Sequence, residues 1–177
     1  TEAVPALFDL AKDKNPNVRL AAYKALSALS GQEELAKMVA AMLKASSDAD
    51  RAAIERAMIA TVTRLEKPDA AAVIAGLGKA NDAAKPHLLA ALSHIGGEKA
   101  LQAVRNQLSS SEANVQKAAI RTLADWPDST PLAELLEIAK TSNDPTGHIL
   151  ALRGYIKLLA LPANRSAAKT VELLTEA

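Results

Sequence analysis

The sequence predicts an all-α chain built as a line of stacked helical pairs. Three observations point there. Apolar residues recur at helical spacing along nearly the whole chain, one segment pattern returns with a steady period, and the turns and alternation of a β-sheet are missing. The segment Asn15-Pro16-Asn17-Val18-Arg19-Leu20-Ala21-Ala22-Tyr23-Lys24-Ala25-Leu26 is echoed by residues 112–123, and more weakly over 48–58, 81–92 and 145–156. Taking the last apolar residue of each as a marker gives Leu26, Met58, Leu92, Leu123 and Ile156, spaced by 32, 34, 31 and 33 residues.

Each unit reads as two amphipathic helices. Val4, Leu7, Phe8 and Ala11 predict a helix over 2–13, and Val18, Ala22, Ala25, Leu26 and Leu29 its partner over 16–29, opened by Asn15-Pro16. In the second unit Leu35, Met38, Val39, Met42 and Leu43 predict 32–45. Its partner, 49–65, carries Ile54, Ala57, Met58, Thr61, Val62 and Leu65. The third unit spans 69–79 and 83–95, with Leu88, Ala91, Leu92 and Ile95 in one stripe. Pro86 sits near that helix start, where a missing N–H costs little. The fourth covers 98–109, through Leu101, Val104 and Leu108, and 113–125; the fifth covers 131–141 and 146–160. A leftover helix over 164–176, with Ala167, Val171 and Leu174, either caps the fifth pair or opens a further unit. Ser30-Gly31, Lys67-Pro68-Asp69, Gly96-Gly97, Pro127-Asp128 and Leu161-Pro162 punctuate the units.

Composition narrows the function. The chain of 177 residues is 49% apolar but only 2% aromatic, so Ala, Leu, Ile and Val must build the core. A pair of short helices cannot hide both apolar faces alone, so neighbouring pairs share one continuous core. Small residues such as Ala21, Ala22, Ala25, Ala118 and Ala119 allow close helix approach. With 21 Lys and Arg against 20 Asp and Glu the formal net charge is +1, which disfavours binding nucleic acid by bulk charge. There is no cysteine, which excludes thiolate zinc sites, thiol nucleophiles and iron–sulfur ligation. The longest uncharged run, 86–97, is 12 residues and too short to insert in a membrane. The opening Thr points to a mature form or an excised piece of a larger protein, read as a single repeat domain over 1–177.

The segment from Asn15 to Leu26 resembles the second-helix signature of HEAT repeats, and the likeness extends over essentially the whole chain. The family's Asp before the turn and Arg six residues later fall at Asp13 and Arg19. Arg51 and Lys85 keep the basic residue without the Asp, and the fourth unit has Gln116. The resemblance implies an inter-repeat hydrogen-bond ladder through that pair, which only the first unit carries in full. Residues 119–128 followed by 151–156 are similar to HEAT segments of bacterial multidomain proteins, which implies an exported or periplasmic setting. Taken together, the fold class is a right-handed α-α superhelix of five helical pairs plus one terminal helix.

Reactive motifs are weak. His87 and His94 lie seven apart, about 10 Å along a helix axis, too far for one metal, and His148 stands alone. Gly76-Leu77-Gly78-Lys79 and Gly96-Gly97-Glu98-Lys99 lack the strand and the Ser or Thr of a phosphate loop. Ser166-Ala167-Ala168-Lys169 matches only two letters of an acyl-enzyme pattern, and Asn164-Arg165-Ser166 is a formal glycosylation acceptor. The expectation is therefore no catalytic residue, no cofactor and no metal.

One row carries more. Aligning the units by their markers places Lys24, Arg56, Ala90, Arg121 and Gly154 at one position of the second helices, with Arg153 and Lys157 nearby. In solenoids of the resembled kind that helix lines the concave face, so these cations form a candidate partner-binding strip. Ordinary surface cations would give the same row. Trp126, at a helix end, is expected to staple the turn between units or to anchor a partner. The function expected is a non-catalytic, monomeric protein-interaction or scaffold module that reads a protein or peptide; the alternative is a nucleic-acid or polyanion binder using the basic strip.

Overall fold

The computed structural model describes residues 3–162 and 165–175. Asn164 of the formal acceptor, and the outermost residues of the first and last predicted helices, lie outside the described residues. Among the described residues the α-helices number eleven: α1 (Ala3–Leu10), α2 (Pro16–Leu29), α3 (Leu35–Lys44), α4 (Asp48–Thr63), α5 (Ala71–Leu77), α6 (Lys85–Ile95), α7 (Glu98–Arg105), α8 (Ala113–Ala124), α9 (Leu132–Thr141), α10 (Pro145–Leu159) and α11 (Ala167–Thr175). The chain is all-α, as the stripes predict.

Local chemistry sets the boundaries. Asn15 Oδ1 accepts from the Asn17 N–H, 3.0 Å away, and Pro16 takes the first helical position, so α2 begins where the sequence places it. Helices α1 and α7 end earlier than predicted, at Leu10 and Arg105. After α1, Lys12 and Asp13 bond to carbonyls three residues back, and after α7 Gln107 and Leu108 do the same, so each last turn tightens out of α geometry. A short 3-10 turn, Gln32–Glu34, replaces the predicted start of α3.

Contacts divide the chain after Ala100 into two compact units. In the first, α1/α2, α3/α4 and α5/α6 are hairpins; α4 packs against both α2 and α6, and α3 packs against α5. Leu26, Ile54, Met58, Leu88 and Leu92 are fully buried along the second helices. In the second unit α10 packs against α8 and α9, with Leu123, Leu135, Tyr155 and Leu158 in its core. Helix α11 touches α10 lightly, tied by the Tyr155 hydroxyl donating to the Leu173 carbonyl at 2.8 Å. Val171 and Leu174 on α11 are 60% and 46% exposed. Of the two roles predicted for that helix, covering the fifth pair with those residues does not hold.

The fifth unit also corrects the register. Ile156, the predicted marker, is 48% exposed, whereas Tyr155 is buried. Buried Ala151, Gly154 and Tyr155 match buried Ala119, Thr122 and Leu123 one period earlier. The marker is therefore Tyr155, and every equivalence in α10 moves by one residue. The cause is local: Gly154 sits at the helix contact, where a Cβ would lie 2.4 Å from Ala124 Cβ on α8. Only the smallest residue fits there, so the apolar pattern alone misplaces the seam. The close partner of that glycine is α8.

Candidate cationic face and basic hollow

Corrected registers bring out two rows on the second helices. The first is structural and comprises Arg19, Arg51, Lys85, Gln116 and His148. Four of these five reach back to a backbone carbonyl near the end of the preceding helix. Arg19 Nη1 donates to the Asp13 and Lys14 carbonyls at 3.0 and 3.1 Å, Arg51 Nη1 to Ala45 at 2.6 Å, and Gln116 Nε2 to Leu108 at 2.9 Å. His148 Nδ1 lies 2.6 Å from the Ala139 carbonyl. Lys85 bonds the Asp82 carboxylate at 2.8 Å instead. Carbonyls left open by four of the five first helices are thus satisfied by one repeated position. Sequence reasoning found this row only in part, because the one-residue shift hid His148.

Asp13 contributes its carbonyl here, while its carboxylate accepts from the Asn15 N–H at 2.7 Å. The Arg19 guanidinium bonds the next unit's Asp50 through Nε and Nη2, at 3.0 and 2.9 Å. Those bonds hold the buried Asp50 carboxyl below the usual carboxylate range; Ser47 adds to the effect and burial opposes it. Other ties also span about one period. His87 Nδ1 lies 2.5 Å from Glu55, Lys157 donates to Asp125 at 2.6 Å, and Arg105 bonds Glu134.

The second row is Lys24, Arg56, Ala90, Arg121 and Arg153, so Arg153 takes the place predicted for Gly154. Its four cations are all exposed, and no ion pair of theirs is seen among the described residues. Lys24 and Arg56 lie on helices α2 and α4, which pack together. In the other unit Arg121, Arg153 and Lys157 line one shallow hollow of about 360 Å³, with Gly154 and Ala124 beneath. Lys157 is neutralised there by Asp125. Trp126 is only 3% exposed and its backbone N–H donates to the Leu123 carbonyl, so it packs as a staple after α8 and offers a partner little surface.

A larger hollow, of about 550 Å³, lies among α1, α2, α3 and the start of α4, and the sequence did not point to it. Phe8, Tyr23, Lys37, Lys44, Arg19 and Asp50 are among its lining residues. Lys37 Nζ stands 5.5 Å from the centre of the Phe8 ring, a cation–π contact.

The Ser166–Lys169 segment opens α11. Ser166 Oγ accepts the Lys169 N–H at 3.2 Å, a helix cap, and Lys169 Nζ pairs with Glu172 at 2.6 Å. Among the described residues no three His, Asp or Glu gather at metal-binding distance.

The family described as HEAT repeats matches residues 1–59 and 70–154, which is most of the chain. The protein is a HEAT-repeat protein. Among solved structures this HEAT chain is similar to an engineered protein, at 16% identity and a TM-score of 0.46, covering 99% of this chain and 85% of that one. It is also similar to an archaeal HEAT-like repeats protein from Thermococcus onnurineus NA1, at 14% identity and a TM-score of 0.47, covering 98% and 77%. No curated protein matches it.

Proposed function

We propose that this HEAT-repeat protein is a non-catalytic interaction module whose second helices meet acidic protein surfaces through exposed cations, Lys24 and Arg56 in the first compact unit and Arg121 and Arg153 in the second. HEAT repeats commonly serve as protein-interaction scaffolds, and the chain is a member of that family. One observation carries the reading: a single repeat position is cationic in four of five units, exposed in all four and unpaired among the described residues. A structural role for these side chains would show as bonds to carbonyls, as in the Arg19 row. Exposed charges of this kind steer and select partners by complementarity.

The test is retention of polyglutamate and of duplex DNA, measured with the full chain and with the Arg121→Glu/Arg153→Glu variant. At about 50 mM salt the wild type is expected to retain polyglutamate, with the variant weaker by tenfold or more and both weakened near 200 mM. Retention of DNA in preference to polyglutamate would replace this reading with a polyanion binder of the nucleic-acid class. Equal retention of polyglutamate by wild type and variant would remove the cationic face from the function.

A further inference from the structure

We propose that the hollow bounded by α1, α2 and α3 is a binding site for a short acidic segment of a partner protein, with carboxylates at Lys37 and Lys44 and apolar side chains against Phe8. None of the cations of the second-helix face lines it, so this site stands or falls on its own.

Four features make it a built site. Its volume, about 550 Å³, falls within the range of ligand pockets and holds a few side chains. Its apolar wall joins the Phe8 ring to alanines of α3, Ala40 and Ala41. Tyr23, also in the wall, is only 5% exposed, yet its hydroxyl makes no hydrogen bond among the described residues. That oxygen is still reached by solvent, so it is a donor with room for an acceptor. Burial, and then the charge of Asp50, push its ionisation upward, which keeps it protonated and able to donate.

The charges in the wall are unequal. Asp50 is taken up by Arg19 and Ser47, and Asp13 accepts from the Asn15 N–H. Lys44 has no partner among the described residues, and Lys37 has only the Phe8 ring. These two lysines are seven residues apart on α3, two turns and about 10 Å along the axis. Two carboxylates three residues apart in a polyproline II segment, with three residues per turn, share one face and span about 9 Å. A concave, partly apolar wall that contains two aspartates suits single carboxylates on an apolar segment better than a run of phosphates.

The experiment uses the ¹⁵N-labelled full chain titrated with acetyl-Glu-Leu-Leu-Glu-amide, its Gln-Leu-Leu-Gln counterpart, and inorganic phosphate. Expected are shifts at Phe8, Tyr23, Ala41 and Lys44 on adding the Glu peptide, at least tenfold weaker with the Gln peptide, and none with phosphate. Lys37→Glu/Lys44→Glu, both exposed positions, should abolish the shifts with the circular dichroism unchanged. Tyr23→Phe should weaken binding about two- to tenfold, the worth of one hydrogen bond. Arg121→Glu/Arg153→Glu should leave these shifts intact. No shifts at millimolar Glu peptide, equal shifts with the Gln peptide, or binding of phosphate alone would each overturn the proposal.

Discussion

Two seams between first helices of the same unit end differently. Between α3 and α5 the helices meet closely: a Cβ on Gly76 would come within 2.3 Å of Val39 Cγ1, so the absence of a side chain closes the seam. Between α1 and α3 the Phe8 and Tyr23 rings and the Arg19–Asp50 pair line a hollow instead. One repeat architecture therefore yields a sealed contact or a pocket, depending on whether a glycine or a ring stands at the seam. The α8–α10 seam of the second unit is closed in the same way where Gly154 lies against Ala124, with the hollow of Arg121 and Arg153 beside that contact.

Overfilling the sealed seams should have the largest effect. Gly154→Val drives a side chain toward both the Cβ and the Cα of Ala124, and a backbone atom cannot step aside. A loss of about 3 kcal/mol is expected, at the upper end for an overpacked core, and is read from urea unfolding. Gly76→Val should cost less, about 1–3 kcal/mol, because its obstacle is the end of the Val39 side chain. Adding Val39→Ala should recover part of that loss, a coupling that a double-mutant cycle reports. An additive pair would mean that the two residues do not share a seam.

How much of this was legible in the sequence follows from what each feature depends on. The eleven helices were readable because each stripe is local, and α2 was placed to the residue because Asn15-Pro16 is a cap and a start in adjacent letters. The fifth register slipped because Gly154 is a contact residue that contributes no apolar signal, so Ile156 stood in for Tyr155. Exposed cations at Lys24, Arg56 and Arg121 were found by period alone, and Arg153 fell one place from its row. The large hollow stayed hidden since its parts, from Phe8 to Asp50, come from four helices. Phe8 reads as core in any helical stripe. Nothing in a single segment shows that its neighbours leave a gap.

The open seam has its own electrostatic signature, a smaller effect than overfilling. The Arg19 bonds depress the Asp50 carboxyl, so its contribution to stability is present above the ordinary carboxylate pKa, about 4. It is lost as pH falls through the lowered native value. Asp50→Asn should therefore lower Tm at pH 7, and the gap to wild type should shrink as pH drops below about 4. A gap that stays constant with pH would mean that the ion pair adds nothing beyond the shape of the side chain.

Cysteine reactivity measures the contrast between seams most directly, because the native chain has no cysteine and a single introduced thiol is the only one that labels. Ala41→Cys places it in the wall of the hollow; Val73→Cys places it on α5, fully buried and one turn from Gly76. In native buffer Ala41→Cys is expected to react with a maleimide within about tenfold of the rate in denaturant, and more slowly with acetyl-Glu-Leu-Leu-Glu-amide present. Val73→Cys is expected to react only through unfolding, slower by about a thousandfold or more. Equal protection at both positions would contradict the division into a sealed seam and an open one.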